Sequence, residues 1–77
     1  MKLAQLVATT LGIPEDRVSD DLTIDDCDEW TSMKQVALVS ALESAYAVEF
    51  DIMESIEMDS VGAIREVLRD KGIDVDA

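Results

Sequence analysis

The sequence predicts an all-α domain, a small three- to four-helix bundle with a long first loop. Apolar residues recur at three- and four-residue spacing in three separate stretches, the signature of helices with one buried face. No pair of segments shows the sustained alternation of strands, and the first two stretches are separated by an acidic segment from 19 to 31. A chain of 77 residues has room for one domain, 1–77, and one modest core.

The first helix is expected over residues 1 to 11, with Leu3, Leu6, Val7 and Leu11 on one stripe. Gly12 suits the position just past its end, and Pro14 follows closely. Residues 14 to 18 fit a single turn with Pro14 at its first position. In the acidic loop Leu22 and Ile24 are the apolar pins, and a loop of such length in so small a domain points to function. The second helix is expected over 32 to 46, capped by Thr31, with Val36, Val39, Leu42 and Tyr46 on its apolar face and Leu38 and Ala45 beside them. Residues 47 to 53 read as extended or irregular and 54 to 58 as one helical turn. The last helix is expected over 60 to 70, capped by Asp59 or Ser60, with Val61, Ile64, Val67 and Leu68 facing inward. Arg65, Arg69 and Lys71 complement the negative end of its dipole, and Gly72 stops it. Phe50 joins the core candidates.

Eighteen acidic residues against six basic ones give a formal charge of -12. Such a surface repels nucleic-acid phosphates and anionic lipid heads and attracts proteins with Arg and Lys patches, so neither nucleic acid nor membrane is an expected partner. No apolar run is long enough to span a bilayer, and residues 1 to 11 lack the features of a signal peptide, so a cytoplasmic location is expected. The single cysteine, Cys27, has no internal disulfide partner and reads as an incidental, partly buried residue.

The absence of histidine removes imidazole catalysis and the common zinc sites. Ser32 has no base to activate it, since Lys34, two positions on, lies on a different helical face. The acidic loop lacks the Asp-x-Asp-x-Asp-Gly spacing of a calcium loop and reads as a solvated anionic segment. No catalytic residue and no metal site emerge, and the chain reads as a non-enzyme. There remains one serine at the start of a helix after a long loop. A helix N-terminus presents unpaired N–H groups and partial positive charge, a seat for phosphate.

The stretch from Thr31 to Glu43 resembles the prosthetic-group segment of the acyl carrier protein family, Asp-Ser-Leu followed by Val-x-Leu-Val-x-Ala-Leu-Glu. Ser32 falls on the serine, and Val36, Leu38, Val39, Ala41, Leu42 and Glu43 on the helix pattern. Leu11-Gly12-Ile13 is similar to the family's Leu-Gly-Val, Tyr46-Ala47-Val48-Glu49-Phe50 to Phe-Gly-Ile-Glu-Ile, and Asp59-Ser60-Val61-Gly62 to the start of its last helix. The resemblance covers nearly the whole chain. It implies a helical bundle carrying 4'-phosphopantetheine covalently on Ser32, with an acyl or aminoacyl cargo held as a thioester. It implies as partners a phosphopantetheinyl transferase, an acyl- or aminoacyl-loading ligase and downstream acyl-transfer enzymes, met by a monomer.

The chain departs from the family pattern in ways that matter for recognition. Thr31 replaces the usual Asp before the serine, keeping a capping hydroxyl but losing a charge, and Met33 replaces Leu. The second helix holds only Lys34 and Glu43 as charges, where fatty-acid carriers are strongly acidic. The resemblance is therefore to a specialised standalone carrier with dedicated partners. The expected docking residues are Trp30, Thr31, Met33, Val36 and Ser40. For Met33 and Val36 the competing reading is completion of the core. For Trp30 it is a lid packing the loop onto the helix start, against Val36. Lys34 is either a contact for the arm's phosphate or simply solvated. The alternative function is an unmodified, degenerate carrier: an acidic helical interaction module that binds a basic protein. In either case self-repulsion opposes folding. The melting temperature is expected to rise as NaCl goes from about 0.01 M to about 0.1 M, contracting the screening length from about 30 Å to about 10 Å. A flat or falling melting temperature would show that repulsion does not limit the fold.

Overall fold

The computed structural model describes residues 2–75. Helix α1 spans Leu3–Leu11 and buries Leu3, Leu6, Val7, Ala8 and Leu11, the expected stripe with Ala8 added. The Met1 end of the expected helix lies outside the described residues. Gly12 closes α1 in the left-handed region at φ 75°, its N–H donating to the Ala8 carbonyl. The following turn is a 3-10 turn over Glu15–Arg17, and Pro14 is its cap and not its first residue.

The acidic loop is stitched to the last helix by three backbone hydrogen bonds. Ile24 N–H donates to Asp59 O at 2.9 Å, Val61 N–H to Leu22 O at 3.0 Å, and Gly62 N–H to Asp20 O at 3.1 Å. The contact includes an isolated antiparallel bridge between Thr23 and Ser60. At Gly62 an added Cβ would lie 3.1 Å from the Asp20 carbonyl oxygen, so a larger residue would have to push that carbonyl back by a few tenths of an ångström. Within the loop a 3-10 turn, Ile24–Asp26, is capped by the Thr23 hydroxyl. Leu22 and Ile24 pack against the core as expected. Cys27, expected to be partly buried, is buried outright, its Sγ donating to Glu29 Oε1 at 3.6 Å.

Helix α2 spans Ser32–Tyr46 with Thr31 as its cap, as expected. Its buried face is shifted from the one read in the sequence. Leu38 and Leu42 are fully buried and Val39, Ala41 and Tyr46 pack against them, whereas Val36 and Ala45 are exposed. Helix α2 ends on Ala47, which holds φ 54° and ψ 49° in the left-handed region without being glycine.

Helix α3, Ile52–Glu57, begins earlier than the turn expected at 54 to 58, and part of the segment read as extended belongs to it. The reason is a capping box. Glu54 N–H donates to Asp51 Oδ1 at 2.8 Å and Asp51 N–H donates to Glu54 Oε1 at 3.0 Å, satisfying two otherwise orphaned donors. Helix α4, Val61–Asp70, is capped by Ser60 and buries Val61, Ile64, Val67 and Leu68. Lys71, just beyond α4, reaches Glu54 Oε2 at 2.8 Å and lies 5.5 Å from the centroid of the Phe50 ring, tying α3 to the end of α4. The hydrogen bond from Lys71, with one from the Asp51 backbone, lowers the Glu54 pKa. A lowered carboxyl pKa stabilises the fold above the unfolded value, and that contribution is lost as pH falls through the folded value.

The core is made from α1, α2, α4, the loop and Met58 just past α3, with Leu3, Leu11, Leu38, Leu42, Met58, Ile64 and Leu68 nearly free of solvent contact. Each such side chain contributes about 1.5–3 kcal/mol relative to exposure. Ala47 works against this. A Cβ in the left-handed region is disfavoured by roughly 1 kcal/mol or more, and glycine there avoids the clash. Ala47→Gly is expected to stabilise the protein by about 1 kcal/mol in urea melts at unchanged m-value. An unchanged or lower midpoint would show that the Ala47 geometry carries no strain.

Candidate functional site

Ser32 is the first residue of α2 and is exposed. Two local features set its place. The Thr31 hydroxyl accepts from Lys34 N–H at 3.2 Å, and the Thr31 carbonyl accepts from Gln35 N–H at 2.9 Å, so the helix begins at Ser32 with the hydroxyl on its positive end. Thr31 therefore does the capping work expected of it without the charge of an aspartate. Lys34 is not simply solvated. Its Nζ donates to the Thr10 carbonyl near the end of α1 at 3.2 Å.

The residues grouped with Ser32 separate into two sets. Met33 and Val36 are 84% and 71% exposed, so the reading in which they complete the core is set aside. With Ser40, also exposed, they lie on one helical face at positions 33, 36 and 40. Across from them α3 exposes Ile52, Met53 and Ile56. Trp30 belongs elsewhere. Its residue is 3% exposed, so it is a core side chain and not part of the surface beside Ser32. The lid reading is nearer, but Val36, its expected neighbour, faces solvent.

Trp30 is buried beside a residue that was not singled out in the sequence, Gln35. The indole Nε1–H donates to Gln35 Oε1 at 2.6 Å. The Gln35 Nε2 donates in turn to the carbonyls of Ser55 and Met58, at 3.1 and 3.0 Å. One side chain thus joins the acidic loop, the first turn of α2 and the C-terminal half of α3. The signal for it was present. Gln35, Leu38, Val39, Leu42 and Tyr46 share one helical stripe, and a polar residue at the head of an apolar stripe needs a buried partner. Glu43, the one acid of α2, also turns to structure, accepting from Phe50 N–H at 2.9 Å.

The loop is braced at the surface as well. Arg17 and Glu29 pair at 3.1 Å; the hydrogen bond to the guanidinium lowers the Glu29 pKa, and the same bond raises that of Arg17. Both side chains lie at the surface, so the pair orients the loop without anchoring it. Asp20 and Arg65 pair at 3.1 Å. No helix among the described residues is long and apolar enough to cross a membrane.

The Trp30–Gln35 contact predicts a stability effect out of proportion to a single polar side chain. Gln35→Ala strands a buried indole N–H and frees two carbonyls, and is expected to lower the unfolding free energy by about 2 kcal/mol. Lys34→Ala, one position away on the exposed side, is expected to leave it nearly unchanged in the same urea titration. Equal effects of the two substitutions would show that the half-buried amide is not a structural tie.

A family model described as a phosphopantetheine attachment site matches residues 2–68. A search of curated proteins returned no match. The matched span runs from α1 through most of α4 and includes the exposed serine at the start of α2. The arrangement fits a covalently held arm: an accessible hydroxyl on the positive end of a helix, with no carboxylate among the first residues of α2 to repel a phosphodiester. The chain therefore belongs to the phosphopantetheine attachment family, the carrier domains of the acyl carrier protein type, whose members bear covalent 4'-phosphopantetheine.

Proposed function

We propose that Ser32 is the attachment point and that this protein carries an acyl or aminoacyl group for biosynthetic enzymes without itself performing chemistry. The observation that carries this reading is the exposed Ser32 hydroxyl at the first position of α2, inside the span that matches the family. A phosphopantetheinyl transferase would move the arm from coenzyme A to Ser32 Oγ. When bound, the arm supplies a terminal thiol that holds the cargo as a thioester. The protein's own residues present that arm. Thr31 fixes the start of α2, and the helix dipole favours the phosphodiester.

Partners dock, on this reading, on Thr31, Met33, Val36 and Ser40, together with the apolar residues exposed by α3. The face differs from a purely electrostatic one. Its centre is apolar along α2, and its acid is displaced to Asp51, Glu57 and Asp59. The cognate surface is therefore an apolar patch edged by Arg or Lys, presented by a loading ligase or an acyl-transfer enzyme. The protein is proposed to work as a monomer in the cytoplasm.

Incubation of the purified protein with coenzyme A and a broad-specificity phosphopantetheinyl transferase is expected to add the mass of one phosphopantetheine, and Ser32→Ala to abolish the gain. No gain with several transferases would instead favour an unmodified interaction module. A gain that persists in Ser32→Ala would place the arm elsewhere.

A further inference from the structure

Two apolar grooves run along the face where α2 meets α3. One, of about 320 Å³, is walled by Val36 and Val39. The other, of about 390 Å³, is walled by Phe50, Ile52 and Ile56. Both are bounded by Gln35 and Ser55, so these two residues form the partition at which the grooves meet. The partition is bonded across. The Gln35 amide accepts from the Trp30 indole and donates to the Ser55 and Met58 carbonyls. Leu38, Leu42, Met58, Ile64 and Leu68, each at most 1% exposed, fill the interior.

A linear alkyl chain entering between α2 and α3 at this point would displace the amide. It would leave an indole N–H and two carbonyls beside hydrocarbon, which cannot hydrogen-bond to them. A short or polar group gains nothing by entering and meets no such barrier in solvent. We propose that Gln35 is a specificity-determining residue that bars alkyl cargo from the space between α2 and α3, so that the cargo of this carrier is small or polar and stays in solvent. The inference rests on Ser32, one helical turn before Gln35, being the attachment point.

The test compares acetyl- and octanoyl-pantetheine forms of the full chain, made by a transferase from the corresponding coenzyme A thioesters and verified by mass. Thioester cleavage by hydroxylamine is then timed, since a chain held inside shields its thioester. The two wild-type forms are expected to react at rates within about twofold of each other, whereas a chain held inside for about four-fifths of the time would slow cleavage about fivefold. Gln35→Leu, which replaces the amide by hydrocarbon of similar size, is expected to bring that slowing to the octanoyl form and leave the acetyl form unchanged. Gln35→Met serves the same purpose should the leucine variant not fold.

Protection of the wild-type octanoyl form relative to the acetyl form would overturn the gate without any variant. Folded, loaded Gln35→Leu or Gln35→Met protein with equal acetyl and octanoyl rates would overturn it too. Failure to load Ser32 at all is a different result. It removes the carrier reading, and the gate falls with it.

Discussion

The start of α2 is held in place by a hydrogen bond between the buried Trp30 indole and the half-buried Gln35 side chain. Trp30 precedes the serine, Gln35 follows it, and their side chains meet at 2.6 Å behind it. Because the Gln35 amide also binds the Ser55 and Met58 carbonyls, the exposed turn carrying Ser32 is fixed from behind to α3. Buried polar groups confer such rigidity only when their partners are complete. In Gln35 both amide atoms are engaged, and the one N–H of the indole has its acceptor. The surface at Met33 and Val36 can then be apolar without collapsing into the interior.

The same economy shapes the rest of the molecule. With a formal charge of -12, every carboxylate near the site is a potential source of repulsion toward a phosphate. Several acidic residues are drawn into local structure: Glu29 pairs with Arg17, Glu43 binds the Phe50 N–H, and Glu54 is shared between Lys71 and the capping box of α3. Exposed acid remains around α3 at Asp51, Glu57 and Asp59, beside Ile52, Met53 and Ile56. Two kinds of surface result, one apolar along α2 and one mixed along α3.

Much of this was legible in the amino-acid order because it depends on local rules. The stripe of α1, the left-handed Gly12, the Thr31 cap and the inward face of α4 all follow from spacing and capping chemistry, and the structure bears them out. What was not legible depends on tertiary choice. Val36 and Leu38 are both apolar on opposite sides of α2, and only the position of the neighbouring elements decides that Leu38 is buried and Val36 exposed. Trp30 fits a surface docking residue until Gln35 is seen to offer its indole an acceptor. The start of α3 was a different kind of miss, since Asp51-Ile52-Met53-Glu54 carries the capping-box spacing and needed no tertiary information.

The most direct measurement of the central constraint is hydrogen exchange at the Trp30 indole N–H in the intact protein, followed by NMR beside the backbone amides of Leu38 and Leu42. If the indole is locked to Gln35 in the core, its proton exchanges only when the whole protein opens, at the same opening free energy as those amides. If it exchanges within the dead time while those amides remain protected, the contact opens on its own and does not hold the serine-bearing turn.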